Sequence, residues 1–185
     1  MGKGWHGDPY RHSLAAKGIS TKMMKSKLID RDIYRRINVL KTGVDGNIHI
    51  SASIKKHPDK WDRKHPLRND AQTIVALKDS SVGSIGPGLD PDDIIGYIRY
   101  VPRYPEDGYR IGYELSYLEV RKDWENKGVG YAMLGTFFDH VVENDEGVFI
   151  MYGSDEEKRF FDNFMNDPII KHELWERDVN IVIEE

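Results

Sequence analysis

From Gly128 to Asn144 the apolar residues recur in a helical rhythm. Val129, Met133, Phe137 and Val141 stand four apart, flanked by Leu134, Phe138 and Val142. This spacing predicts an amphipathic helix with a wide apolar stripe, ended by the polar run Asn144–Gly147. The rhythm upstream is different. Ile94–Val101 and Tyr109–Val120 alternate apolar and polar positions across a "PRYPEDG" turn, which predicts an antiparallel strand pair. Downstream, Val148–Tyr152 is a short, fully apolar strand suited to a sheet interior. Ser154 followed by Glu157 makes a capping box that opens the helix "DEEKRFFDNFM". "NDP" stops that helix, and "VNIVIEE" closes the chain as a strand.

The first half is less regular. Leu28, Ile29, Ile33, Ile37 and Leu40 lie at near-helical spacing and predict a helix from Ser26, with Gly43 as its stop. "VDGN" then reads as a turn and "IHISASI" as an alternating strand. "KKHPDKWDRKHPLRND" is a charged, Pro-punctuated connection, "TIVALK" a short strand, and "SSVGSIGPGLDPDD" a Gly- and Pro-rich loop. Strands with a hairpin come first, then strand, helix, strand, helix, strand. The expected fold is α/β (α+β), a mixed and mostly antiparallel central sheet with flanking helices. Residues 28–185 form one domain, preceded by a basic arm over 1–27 whose "SLAAKG" allows a single helical turn.

Composition narrows the chemistry. The chain contains no cysteine, which removes disulfides, thiolate metal sites and cysteine nucleophiles together. No run approaches the ~18 apolar residues of a membrane span, and "MGKGWHGDPYRHSLAAKG" lacks a signal-peptide core. The expected compartment is the cytoplasm. Charge is unevenly placed: residues 1–72 carry 16 Lys and Arg against 7 Asp and Glu, the remainder 11 against 24. Such a split suits either attraction within the fold or a basic region that meets nucleic acid. His57 and His65 sit in the charged connection among lysines and arginines, whereas His6 and His12 lack a third ligand for a metal.

The most informative stretch is "ENKGVGYAML", where glycines 128 and 130 fall at the start of the predicted helix. A helix N-terminus has backbone N–H groups without intrahelical partners and a partly positive end. Glycines there leave room for an anion such as phosphate to reach the amides, and Lys127 adds positive charge. A dinucleotide fingerprint is excluded by Met133 in place of a third glycine, and a P-loop by a lysine that precedes the glycine.

This arrangement resembles the GNAT superfamily of N-acetyltransferases. The family signature is Gln/Arg-x-x-Gly-x-Gly/Ala, after a strand ending in an apolar-x-Val pattern and a short polar loop. Here Glu125-Asn126-Lys127-Gly128-Val129-Gly130 follows "LSYLEV" and leads into the amphipathic helix, with Glu125 where the family has Gln or Arg. The resemblance covers Ile94–Met165. It implies an acetyl-coenzyme A site, with the pyrophosphate on the amides of Asn126 to Gly130 and Glu125 and Tyr131 at the margins. The pantetheine arm would pair with the backbone of Leu118, Glu119 and Val120. The thioester would lie where the flanking strands splay, with a backbone N–H near Leu118 stabilising the oxyanion.

The implied reaction is acetyl transfer to a primary amine by direct attack in a ternary complex. Glu114, fourteen residues before Gly128, matches a family position for the general base. Strict alternation puts it on one strand face with Ser116, Leu118 and Val120, and puts the other candidate base, Glu119, on the opposite face. Phe161 falls where many relatives carry an acidic Tyr, so Tyr152 on the preceding strand is the substitute proton donor. Two rivals remain: a nucleic-acid-binding accessory protein using residues 1–72, and a non-catalytic coenzyme A-binding domain.

Overall fold

The computed structural model describes residues 25–28, 30–61, 71–79, 85–86, 89–106, 108–143, 147–176 and 178–184. Most of the predicted arm and the His65 part of the charged connection lie outside the described residues. In chain order the elements are α1 (Arg31–Arg36), β1 (Asn38–Thr42), α2 (Val44–Lys56), β2 (Gln72–Leu77), β3 (Ile94–Arg103) and β4 (Gly112–Val120). They continue with α3 (Val129–Glu143), β5 (Gly147–Met151), α4 (Asp155–Asn166), α5 (Pro168–Glu176) and β6 (Ile181–Glu184).

The strands form one sheet in the order β1-β2-β3-β4-β5-β6. The first four pair antiparallel, whereas β4–β5 and β5–β6 are parallel. On one face, Ile74, Ile98, Tyr100, Tyr113 and Leu115 pack against Met133, Leu134, Phe137 and Phe138 of α3 and Phe161 and Phe164 of α4. On the other, Leu40, Val75, Leu77 and Tyr97 meet Ile50 and Ile54 of α2 and the ring of Trp61. The second half of the chain follows the apolar rhythm closely, and the mixed sheet with flanking helices is the expected class.

Three elements differ from the sequence expectation. The helix expected from Ser26 to Gly43 is a six-residue α1, capped by Asp30, whose Oδ1 accepts from the N–H groups of Asp32 at 2.9 Å and Ile33 at 3.2 Å. Beyond it Val39 and Leu40 point to opposite faces of the sheet, paired with Ala76 and Val75, so β1 replaces the second half of the helix. Pairing with β2 outweighs a helical spacing that a short, marginal helix cannot hold.

"VDGN" and "IHISASI", expected as a turn and a strand, are instead one helix, α2. Asn47, Ile50, Ser51 and Ile54 are buried together at helical spacing, while Ile48 is 54% exposed. Alternation at 48, 50 and 54 arose because an i,i+4 pair also differs by an even number. Polar bonds fasten this helix: Thr42 Oγ1 donates to Asn47 Oδ1, and Asn47 Nδ2 donates to the Ala71 carbonyl at 3.0 Å.

Asn166-Asp167-Pro168 does end α4, but it also begins α5, which the sequence reading lacked. Asp167 Oδ1 accepts from Ile169 N–H at 3.0 Å and Ile170 N–H at 3.1 Å, and Pro168 takes the first helical position, where its missing N–H costs nothing. Among the described residues no helix is long and apolar enough to cross a membrane.

Candidate active-site cleft

Strands β4 and β5 run side by side only from Gly112–Leu115 against Gly147–Ile150, then separate. The separation coincides with a fault in the other edge of β4. Arg99 pairs with Tyr117 but Tyr100 pairs with Leu115, so Ser116 is the extra residue of a β-bulge. The bulge bends β4 away from β5 and leaves a cleft of about 330 Å³. Among the described residues no strand pairs with the far edge of Ser116–Val120, and those residues border the cleft.

The bulge also corrects the faces expected from strict alternation. Leu118 pairs with Ile98 and packs on the α3 side, together with Tyr113 and Leu115 from before the bulge. Glu114, Tyr117 and Glu119 pair with Val101, Arg99 and Tyr97, which share the opposite face. Glu114 and Glu119 therefore lie on one face, and Leu118 and Val120 on the other. One inserted residue shifts the period-two phase by one.

At the end of β4 the chain is fastened before it turns. Arg121 N–H donates to Ile95 O at 2.8 Å, and its guanidinium donates to Asp92 O at 2.8 Å and to both carboxylate oxygens of Asp123. The turn then uses left-handed backbone at Asn126 (φ 58) and Gly128 (φ 85). Helix α3 starts at Val129, with Ala132 N–H donating to Gly128 O at 3.0 Å. By helix geometry the N–H groups of Val129, Gly130 and Tyr131 have no carbonyl within the helix to meet. Gly128, Val129, Gly130 and Tyr131 all border the cleft.

The glycines have a structural reason beside the one the sequence suggested. A Cβ on Gly128 would lie 3.2 Å from both the Leu28 carbonyl oxygen and the Asp30 nitrogen. A Cβ on Gly130 would lie 2.9 Å from the Phe160 ring. The space each missing side chain leaves is taken by the protein itself. Gly128 lets the segment before α1 press on the loop, and Gly130 lets α4 close on α3. Phe160 in turn stacks on Tyr131, with ring centroids 4.6 Å apart and the planes nearly parallel.

Helix α4 supplies the opposite wall. Ser154 Oγ accepts from Glu157 N–H at 3.2 Å, and the Glu157 carboxylate accepts from Gly153 N–H at 2.6 Å. The capping box is thus present, its return bond displaced by one residue. Charge in the cleft is one-sided. Glu119, Glu125, Glu156 and Glu157 border it, and no Lys, Arg or His does among the described residues. Lys127, next to the lining, is exposed with its Nζ 5.0 Å from the Trp124 ring centre. Glu119 accepts a hydrogen bond from the Tyr97 hydroxyl at 2.8 Å. Burial, then the negative charge of Glu119, raise the Tyr97 pKa far above the ordinary tyrosine value, so it stays a donor.

Of the expected site residues, Leu118, Glu119, Val120, Glu125, Asn126, Gly128, Val129, Gly130 and Tyr131 come together around the cleft. Glu114 and Tyr152 are not in its lining. Glu114 stands where β4 is still paired, near Arg103, whose pKa is raised chiefly by its hydrogen bond to Glu184 and only secondarily by the charge of Glu114. The Tyr152 hydroxyl is buried without a hydrogen-bond partner among the described residues, and its ring leans on Phe161 at 5.9 Å. The Tyr97–Glu119 bond and the Leu28–Gly128 contact had no signal in the sequence, because both join segments distant along the chain. Among the described residues no cluster of three or more His, Asp or Glu is placed to hold a metal.

No protein-family description matches the sequence, and no curated protein does. Solved structures do match. An aminoglycoside acetyltransferase from an uncultured soil metagenomic sample, in complex with sisomicin, aligns at 14% identity with TM-score 0.51. The alignment covers 71% of this chain and 89% of that one. A ribosomal-protein-alanine N-acetyltransferase from Brucella melitensis biovar Abortus 2308 aligns at 12% identity over 69% of this chain and 88% of its own, with TM-score 0.44. The first likeness carries the fold: this chain has the architecture of the GNAT acetyltransferases.

Proposed function

We propose that the protein is an N-acetyltransferase that moves an acetyl group from acetyl-coenzyme A to a primary amine. The observation that carries this reading is the parting of β4 and β5 after Leu115, which leaves an open strand edge leading straight to the start of α3. An open edge offers alternating N–H and C=O groups, the partners that the amide-bearing pantetheine arm needs. The α3 amides of Val129, Gly130 and Tyr131 suit phosphate oxygens. Leu118, Glu119 and Val120 would hold the arm, and Asn126 to Tyr131 the pyrophosphate. When bound, the donor supplies an acyl group activated as a thioester.

The chain's own residues account for the rest. The edge of β4 orients the acyl carbonyl, and an N–H near Leu118 is suited to the charge that develops on its oxygen. An ammonium acceptor must lose a proton before it attacks. Glu119 is better placed for that than Glu114, because it lines the cleft and its carboxylate is oriented by Tyr97. Tyr117, in the lining and on the face of Glu119, takes the proton-donor role that Tyr152 cannot reach from its enclosed position. Tyr152 and Glu114 then become structural residues.

The test follows thiol release from acetyl-coenzyme A against a panel of amines, alongside calorimetric titration with the donor. Saturable heat and amine-dependent thiol release are expected. Absence of heat at millimolar donor would remove the reading. Heat without release on any amine would favour a coenzyme A-binding module instead.

A further inference from the structure

The cleft poses an electrostatic problem for the ligand proposed for it. Coenzyme A brings several phosphate charges, yet the described lining has four glutamates and no cation. Glu125 stands in the very loop that would receive the pyrophosphate. Like charges this close repel within the ~8–10 Å over which salt screens them. Positive charge must come from beside the lining: Lys127 stands there, and the segment that presses on Gly128 brings more.

We propose that Lys25 and Lys27, on the segment that precedes α1, form the cationic wall of the phosphate end of the cleft. This rests on the acetyl-coenzyme A reading above. The segment is held in place at both ends. Ser26 is 3% exposed, and its Oγ accepts from Leu28 N–H at 3.1 Å. Asp30 caps α1. Between them the Leu28 carbonyl and Asp30 nitrogen meet Gly128, whose φ of 85° and absent Cβ permit the contact. Lys25 and Lys27 flank the buried Ser26, and both are exposed. Lys27 is rooted one residue from that contact and Lys25 three, each on a flexible four-carbon stem.

The arrangement gives Gly128 a second consequence. The residue that shapes the phosphate loop is also the seat of the segment carrying its counter-charge, so loop and lysines are positioned together. A loop with Gln or Arg at position 125 would not need this help; one with Glu125 does.

The test is calorimetric titration of the full chain and of its Lys25→Ala/Lys27→Ala variant with coenzyme A, and with pantetheine as the phosphate-free probe. Removing both charges is expected to weaken coenzyme A by about fivefold to tenfold and to flatten its dependence on salt. Pantetheine affinity is expected to be unchanged. Equal affinity of both proteins for coenzyme A overturns the inference. So does a parallel loss for pantetheine, because a general disturbance of the cleft then explains the effect. A native chain that binds neither probe overturns the inference together with the reading beneath it, whereas tight coenzyme A binding untouched by the variant overturns the inference alone.

Discussion

Tyr97 and Glu119 face each other across β3 and β4, with the phenol donating to the carboxylate at 2.8 Å. Tyr97 is fully buried, so this bond holds a cleft-wall carboxylate against a rigid part of the sheet. If Glu119 is the base, Glu119→Gln should lower kcat by about 100-fold or more while KM for the donor changes little. Tyr97→Phe should have a smaller effect, about tenfold, because the carboxylate remains but is less well oriented. Glu114→Gln should stay within about threefold. Steady-state kinetics on the three variants decide the matter, and a Glu114 effect equal to that of Glu119 would reverse the assignment.

Three buried tyrosines predict an alkaline limit to stability. Burial is the first cause that raises Tyr34, Tyr97 and Tyr100 above the ordinary 10.0, with Asp139, Glu119 and Tyr113 adding to it respectively. In the unfolded chain these phenols ionise at their ordinary value, while the native chain keeps them protonated. Their contribution is therefore complete below pH 10 and declines as pH rises above it. Urea unfolding between about pH 8 and 11 should show a plateau and then a fall, less steep in Tyr97→Phe. Smooth tyrosinate titration of every tyrosine with the circular dichroism unchanged would contradict this.

The closed end of the cleft depends on two small residues meeting. Gly112 and Gly147 form the first rung of the β4–β5 pairing, and a Cβ on Gly112 would lie 2.2 Å from the Gly147 carbonyl oxygen. Gly112→Ala should cost about 3 kcal/mol, or a fall in Tm of about 6–12 °C. At Gly147 the nearest atom to an added Cβ is 3.3 Å away, so Gly147→Ala should cost about 1 kcal/mol. Thermal denaturation of both variants tests the ranking, and similar Tm values would refute it.

At the opposite end, Gly130→Ala would drive a methyl to 2.9 Å from Phe160 and disturb its stack on Tyr131. A loss of about 1–2 kcal/mol is expected, with a weakened near-ultraviolet aromatic signal. Phe160→Leu in the same chain should recover part of the loss by making room. Gly130→Glu should likewise damage stability, not only anion binding. A Gly130→Ala protein with native Tm would show that α3 and α4 are less closely joined.

Legibility in the sequence followed the source of each signal. Helix α3 was legible because its stripe is dictated by one packing surface, and α4 because Ser154 and Glu157 settle its start locally. Helix α2 was misread: the short stretch Ile48–Ile54 satisfies period two as well as a helical face, and only burial of Asn47 and Ser51 separates them. Glycines 128 and 130 were legible as important, but the packing that each permits was not. What fills the space beside each, Leu28 and Asp30 at the first and Phe160 at the second, comes from elsewhere in the chain.

By itself the sequence determined the order of elements from β3 to α4, the closing strand β6, the loop between β4 and α3, and the absence of cysteine chemistry. Those features rest on local periodicity, capping and composition, which act between near neighbours. Only the tertiary structure decided which strand edge stays open, which face of β4 carries Glu119, and which segment leans on Gly128. Each depends on a register: a single bulged residue at Ser116 exchanges the faces of a strand, and register is set by the partner strand and the packed helices.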